Sequence, residues 1–174
     1  MKKSKIDPMP QFFDRFINLV ADVELSEAFD DSLRRLNELD RGLLTSLDGK
    51  THAPGKWTVK DIFQHVIDFE RILSYRGLLF ARREPSTPQG IDSDFIGGTS
   101  HAGGRTIDEL IEELRVVRLA TKSLFDSFDE EALLAKGINW KYEISVLAMG
   151  FNIIGHQIHH LTVIEEKYYP LLHS

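Results

Sequence analysis

Six prolines divide this chain and leave three long intervals that no proline interrupts; they stand at positions 8, 10, 54, 85, 88 and 170. A proline inside a helix removes a backbone donor and clashes with the preceding turn. The three intervals also carry apolar residues spaced three, four and seven positions apart, which is the period of an amphipathic helix. The sequence therefore predicts a chain built from long helices.

Four principal helices follow from this periodicity. Thr58 and Thr106 are each followed three residues later by an acidic residue, which is the capping-box pattern of a helix start. Pro170 ends the last helix, because proline cannot continue it. The predicted helices run over residues 22–48, 58–83, 106–128 and 145–169, and a shorter one covers 11–20.

No segment shows the sustained alternation of apolar and polar residues that indicates a strand. We therefore predict an all-α fold, a four-helix bundle, in a single domain over residues 1–174. With 42% apolar residues, a chain of this length can bury one substantial core. A long connection over residues 84–105, rich in glycine, joins helices two and three, and it is expected either to cross the bundle or to cover a site as a lid.

The charge and composition exclude several classes of protein. A net charge of -6 argues against a nucleic-acid partner, because binding phosphates needs a concentrated excess of lysine and arginine. The chain has no cysteine, so it can form no disulfide and offers no thiolate ligand, which favours a cytoplasmic location. No apolar run has the length of a signal peptide or a membrane span, so we expect no membrane association.

Histidines mark the candidate site. The segment Gly155–Ile164, GHQIHHLTVI, holds three of them in a helix that is otherwise mostly apolar. His156 and His160 are four residues apart and project from the same side of the helix, whereas His159 is expected to face solvent. His65 lies at the edge of the apolar stripe of helix two and is expected to point into the bundle. Three neutral imidazoles would suit Zn, Ni, Fe or Cu; the alternative is that buried histidines merely bond a carbonyl or carboxylate.

Two further features of helix four point to close contacts. Gly150 and Gly155 each weaken a helix by about 1 kcal/mol relative to alanine, so we expect another backbone or a ligand to approach there. A second apolar stripe almost opposite the histidines should pack against another helix or another subunit; it consists of Leu147, Phe151, Ile154, Ile158 and Leu161.

Charged residues inside the apolar helices allow two interpretations. Ion pairs within the bundle are the favoured one. In the other, Asp68 orients a ligand imidazole and an arginine binds an anionic group of the substrate. His101, in the glycine-rich connection, is a candidate extra ligand. The charged residues concerned are Asp68, Glu70, Arg71, Arg76 and Arg118.

These residues resemble the DinB-like superfamily, including the YfiT-like group of metal-dependent hydrolases. The resemblance extends from about Phe12 to Leu171. It implies a four-helix bundle with a long connection between helices two and three, frequent homodimers, and a divalent metal held by His65, His156 and His160. The matching elements are Lys56–His65, Asp68, Glu70–Arg71, Tyr75–Arg76, Arg118, Gly155–His156, His159–His160 and Lys167–Tyr168.

The histidine spacing narrows the chemistry. The chain has no HExxH motif, and no histidine follows a glutamate by three positions, so zincin and di-iron carboxylate sites are excluded. The first hypothesis is an enzyme of hydrolase or thiol-transferase type with one Ni, Zn or Fe ion in a mononuclear three-histidine site. Its substrate would be a small molecule, and the family resemblance implies a low-molecular-weight thiol as a second reactant. The alternative is a non-catalytic stress-response bundle that binds metal or a small ligand. A purely structural bundle that binds no ion is the third and least favoured hypothesis.

Overall fold

The computed structural model describes residues 1–172; residues 173 and 174, the last two of the predicted domain, lie outside that range. Over the described residues the chain forms eight α-helices and one two-stranded hairpin. None of these helices combines the length and apolar character needed to cross a membrane. The helices are α1 (Asp14–Ile17), α2 (Leu25–Asn37), α3 (Arg41–Thr45), α4 (Val59–Ala81), α5 (Ser93–Gly98), α6 (Ile107–Asp126), α7 (Glu130–Leu134) and α8 (Val146–Lys167).

The predicted all-α class and four-helix bundle are confirmed: α2, α4, α6 and α8 are the bundle helices. Both predicted capping boxes are present. The Thr58 side chain accepts from the backbone N–H of Asp61, which in turn accepts from the Thr58 backbone, and α6 begins in the same way at Thr106. Helix four starts at the N-cap Ser145, whose hydroxyl accepts from the N–H of Ala148.

The predicted first helix is wrong as a continuous element, because it divides into α2 and α3. The Asp40 carboxylate accepts from the Leu43 N–H at 2.8 Å and so starts a new short helix. An aspartate in this position competes with the helix backbone, which favours a cap over a helix interior. Likewise, the short N-terminal helix spans only Asp14–Ile17.

A hairpin between α7 and α8 was not predicted. Strands β1 (Lys136–Asn139) and β2 (Tyr142–Ser145) pair antiparallel across the two-residue turn Trp140–Lys141. Trp140 occupies this turn with a positive φ of 59°. Because the turn lacks the usual glycine and the strands are four residues long, its pattern gives little signal of a hairpin.

The second apolar stripe of α8 packs against the N-terminal segment of the same chain. Leu147, Phe151 and Ile154 are buried in one core with residues of the first twenty positions, among them Ile17. The close approach expected at Gly155 is also present, since a Cβ there would lie 2.0 Å from the backbone oxygen of Phe16. The stripe therefore packs against another helix of the same chain. The homodimer stays a prediction.

A buried ion pair joins the centre of the bundle. Arg118 on α6 donates from Nε and Nη2 to the two carboxylate oxygens of Glu70 on α4, both at 2.8 Å, and from Nη1 to Ser32 on α2 at 2.5 Å. Arg118 is fully buried and Glu70 nearly so. For this pair the ion-pair interpretation is confirmed, and it ties three helices in register.

Candidate metal centre

The three candidate ligands come from two neighbouring helices. His65 lies in the second turn of α4, and His156 and His160 lie one turn apart on α8. His65 and His156 are buried, with 6% and 8% of their surface exposed, and His160 is half-buried. Packing of α4 against α8 therefore brings together residues that are 91 positions apart in the chain.

Their Nε2 atoms converge on one point. The Nε2 atom of His156 lies 3.1 Å from that of His65 and 3.0 Å from that of His160. One ring nitrogen from each of the three lies within 4.8 Å of the others. Two nitrogens bound to one tetrahedral zinc stand about 3.3 Å apart, given Zn–N bonds of about 2.0–2.1 Å. The spacing therefore suits a shared ion.

Burial keeps all three imidazoles neutral at physiological pH. Burial lowers the pKa of His65 to about 4. For His160, burial is the larger cause and the neighbouring histidines the smaller, and together they lower the pKa to about 3. The pKa of His156 lies well below its ordinary value for the same reasons. Neutral imidazole is the form that binds a transition metal.

Without a cation, these nitrogens cannot all be satisfied. The Nε2 atom of His156 faces two others, yet each neutral ring nitrogen offers either one proton or one lone pair. If the Nε2 atom of His156 offers its lone pair, it can accept one good N–H···N hydrogen bond. The other neighbouring Nε2 atom is then left without a good partner. A divalent ion accepts all three lone pairs at once. The donor set therefore fits a divalent metal.

Aromatic rings hold the imidazoles in place. The rings of Trp57 and Phe69 lie 4.7 and 4.4 Å from that of His65, measured between centroids, and Phe16 lies 5.3 Å from His156. Asp68, by contrast, accepts from Gln64 at 2.9 Å. Within residues 1–172, the Nδ1 atom of His65 is buried and has no hydrogen-bond partner. The second interpretation, in which Asp68 orients a ligand imidazole, is therefore wrong for His65.

Two further histidines, His159 and His101, stay outside the cluster. His159 is exposed, as predicted, and its ring contacts Phe16 at a centroid distance of 5.3 Å. Burial, followed by the charge of Arg15, lowers its pKa. His101 is exposed in the connection between α5 and α6 and takes no part in the three-histidine group.

The histidines open onto a cavity of about 680 Å³. This volume accommodates a small organic molecule. Trp57 and Trp140 both line it, and Trp140 remains 53% exposed. The other lining residues are Phe12, Phe13, Arg15, Phe16, His65, Phe69, Leu73, Arg76, Gly90, Ile91, Asp92, Ser93, Asn139, Asn152, His156, His159 and His160.

The long connection forms one wall of this cavity. Residues 90–93 line it, and the Arg76 guanidinium donates to the Gln89 carbonyl at 2.7 Å. Further along, Gly97 lies so close to the Trp57 ring that a Cβ would stand 2.7 Å from it. The connection thus crosses the bundle beside the histidines, in agreement with the expectation that it crosses the bundle or covers a site.

Sequence reasoning missed several residues of the cavity. Arg15 and Phe16 of α1 come from the N-terminal segment, and Asn139 and Trp140 come from the hairpin. For the N-terminal residues, the one local signal was Gly155. It indicated that another segment comes close to α8, but it did not indicate which segment. The hairpin residues had no comparable signal.

The comparisons with known proteins agree with this fold. A sequence profile of the DinB superfamily matches residues 24–164, and the chain belongs to this superfamily. The solved structure of YfiT from Bacillus subtilis, described as a probable metal-dependent hydrolase with an unusual four-helix bundle topology, superposes with a TM-score of 0.68. The two share 16% sequence identity, over 91% of this chain and 87% of that one. A search of curated protein sequences finds no significant match.

Proposed function

We propose that this protein is a metal-dependent enzyme of hydrolase or thiol-transferase type. Its ion would be one divalent transition metal, Ni, Zn or Fe, held by His65, His156 and His160. The observation that carries the proposal is the convergence of three neutral imidazoles at the wall of a cavity large enough for a small molecule. The description of YfiT as a probable metal-dependent hydrolase supports the same class.

When bound, such an ion supplies Lewis acidity, which lowers the pKa of a water or thiol or polarises a carbonyl. The residues of this chain would contribute the remainder. The three imidazoles leave coordination positions for a water or a substrate. Trp57, Phe69 and Phe16 fix the rings and keep bulk water from that side. Because the chain has no cysteine, a thiol reaction would use a low-molecular-weight thiol from solution.

The alternative is a non-catalytic bundle that binds a metal or small ligand in a stress response. It predicts a filled pocket or a closed set of ligands, whereas the open cavity beside the histidines supports the enzyme. The cytoplasmic location, the homodimer and the lack of a nucleic-acid partner belong to the same proposal; the first and last rest on the composition, and the homodimer rests on the family resemblance.

The metal content of purified protein tests the site. We expect the wild type to hold about one divalent ion per chain, and His160→Ala to lose most of it, because two imidazoles remain. His159→Ala is the matched control: it removes an exposed neighbouring histidine and should retain the ion. Equal metal content in wild type and His160→Ala would exclude His160 as a ligand.

Activity separates the two functions. The metal-loaded protein would be assayed with small esters and amides, and with electrophiles in the presence of a low-molecular-weight thiol. The enzyme proposal expects turnover that a chelator and His160→Ala both abolish. Metal binding without turnover in either assay would favour the non-catalytic alternative.

A further inference from the structure

Arg76 is a buried cation that has no counter-charge among residues 1–172. It lies on α4, lines the cavity, and is 5% exposed. Its guanidinium donates to the side-chain oxygen of Asn139 and to the Gln89 carbonyl, and both of these acceptors are neutral. Over residues 1–172, no carboxylate oxygen forms a salt bridge with it, and burial lowers its pKa. The cavity therefore holds an uncompensated positive charge.

Other arginines of α4 and α6 contrast with Arg76. Arg118 binds both oxygens of Glu70, and Arg71 lies 2.7 Å from Glu113. A buried charge without a partner is unfavourable, so the buried Arg118 gains from its carboxylate, whereas Arg71 is half exposed and pairs at the surface. Arg76 lines the cavity and has no such carboxylate among residues 1–172. An anion entering the cavity would supply it.

A second polar group faces the same cavity without a partner. Asn152, on α8, is 2% exposed, and its Oδ1 atom is buried and unpaired among the described residues. Oxygen and nitrogen of an asparagine amide are nearly indistinguishable in shape, so the group can present either a donor or an acceptor. This observation is independent of Arg76 and also indicates a polar ligand in the cavity.

The rest of the wall is mostly apolar and aromatic, with Phe12, Phe13, Phe69 and Leu73 among the lining residues. Arg15, an exposed residue, places its guanidinium 3.9 Å from the centre of the Phe12 ring. The only lining carboxylate over residues 1–172 is Asp92, which accepts from the N–H groups of Asp94 and Phe95 at the start of α5. The cavity thus favours an anion with an apolar body.

We propose that the cavity binds a small organic carboxylate, with its acid group on Arg76 and its apolar body against the aromatic wall. The planar fork of a guanidinium matches a carboxylate in a bidentate manner, and one unpaired cation is balanced by a monoanion. Asn152 accepts or donates to a polar group nearer the histidines. That this carboxylate is the substrate rests on the proposed function. Its binding to Arg76 does not, because that contact requires no metal.

The test uses full-length protein freed of metal with a chelator, so that no carboxylate binds an ion directly. Phenylacetate is the probe and phenylacetamide its neutral near-isostere, both titrated by calorimetry. We expect phenylacetate to bind at least about 10-fold more tightly than phenylacetamide, since a charge-assisted bidentate contact is lost in the amide. Arg76→Gln should abolish this preference, and Arg76→Lys, which keeps the charge but not the fork, should reduce it.

Arg82→Gln is the matched control. It removes an exposed arginine from the end of the same helix, outside the cavity lining, and should bind both probes as the wild type does. Circular dichroism melting shows whether each variant is folded, and Arg76→Lys carries the test should Arg76→Gln unfold. Equal binding of the two probes, no phenylacetate binding at low-millimolar concentration, or tighter binding of phenyl phosphate would each overturn the proposal.

Metal analysis of the same variants separates this inference from the proposed function. Arg76→Gln should hold as much metal as the wild type, because Arg76 contacts no histidine of the cluster. If the wild type bound no metal but showed Arg76-dependent binding of phenylacetate, the proposed function would fail and the carboxylate site would stand. If the wild type bound metal but did not prefer phenylacetate over phenylacetamide, the carboxylate site would fail and the proposed metal site would stand.

Discussion

The contact between α1 and α8 makes Gly155→Ala a decisive substitution. Considered as a helix residue alone, alanine should stabilise α8 by about 1 kcal/mol relative to glycine. In the folded protein, however, the added Cβ would lie 2.0 Å from the backbone oxygen and 2.5 Å from the carbonyl carbon of Phe16. The two considerations predict opposite signs, so their magnitudes decide the outcome.

The steric effect is the larger one. Ordinary van der Waals contact begins at 3.4 Å, so the α1 backbone would have to move by about 1.4 Å. Overpacking of this kind costs about 1–3 kcal/mol, and the upper end applies here because the obstacle is backbone rather than a flexible side chain. After the gain in helix propensity, we expect the free energy of unfolding to fall by about 2 kcal/mol. For a chain of this size, that lowers Tm by about 4–8 °C.

Urea and thermal unfolding of the metal-free protein measure this effect. Gly77→Ala is the matched control, because Gly77 is a buried glycine within α4 whose new Cβ would meet side chains rather than backbone, the Phe125 ring at 3.1 Å and the Met149 Cγ atom at 3.8 Å. A ring can turn away, so we expect a change within about 1 kcal/mol. Were Gly155→Ala as stable as the wild type or more so, α1 could not lie against α8 as described, and the cavity wall that it forms would be in doubt.

Two further predictions concern buried charge. Glu70→Gln leaves the Arg118 guanidinium buried without a charged partner, so the free energy of unfolding should fall by about 3–5 kcal/mol in urea; a loss under about 1 kcal/mol would show that the pair is dispensable. Stability of the metal-free protein should also decrease as pH falls below about 6.5, because burial holds the pKa of His65 at about 4 and the unfolded chain then binds more protons. Between pH 7 and 5 this histidine should account for a loss of about 2 kcal/mol. Over the same pH range, the free energy of unfolding of His65→Leu should fall by about 2 kcal/mol less than that of the wild type. Equal losses in the two proteins would contradict the lowered pKa of His65.

Local patterns in the sequence predicted those parts of the site that depend on neighbours within one helical turn. The same-side placement of His156 and His160 follows from helix geometry, and the capping boxes at Thr58 and Thr106 follow from a hydroxyl and a carboxylate three residues apart. The break at Asp40 was missed because an aspartate inside an apolar stripe is compatible with both a cap and a helix surface.

Contacts between distant segments could not be predicted in the same way. The meeting of His65 with His156 was expected from an apolar stripe and a family resemblance, but its distance of 3.1 Å depends on how α4 packs on α8. The hairpin had no signal in the sequence, and the short helix predicted in the N-terminal segment carried no indication that it reaches the cavity. Their positions depend on which surfaces remain to be covered once the four main helices have packed.

The sequence by itself determined the helices, their caps and the side of α8 that carries two imidazoles, because these depend on the spacing of a few adjacent residues. Only the tertiary structure decided which arginines are neutralised. Arg118 and Arg76 both occur in apolar helices, yet one meets Glu70, whereas the other lines a cavity and pairs with no carboxylate among residues 1–172. The physical reason is that a charge is compensated by whatever group packing brings within a few ångströms, and one-dimensional spacing does not specify that neighbour.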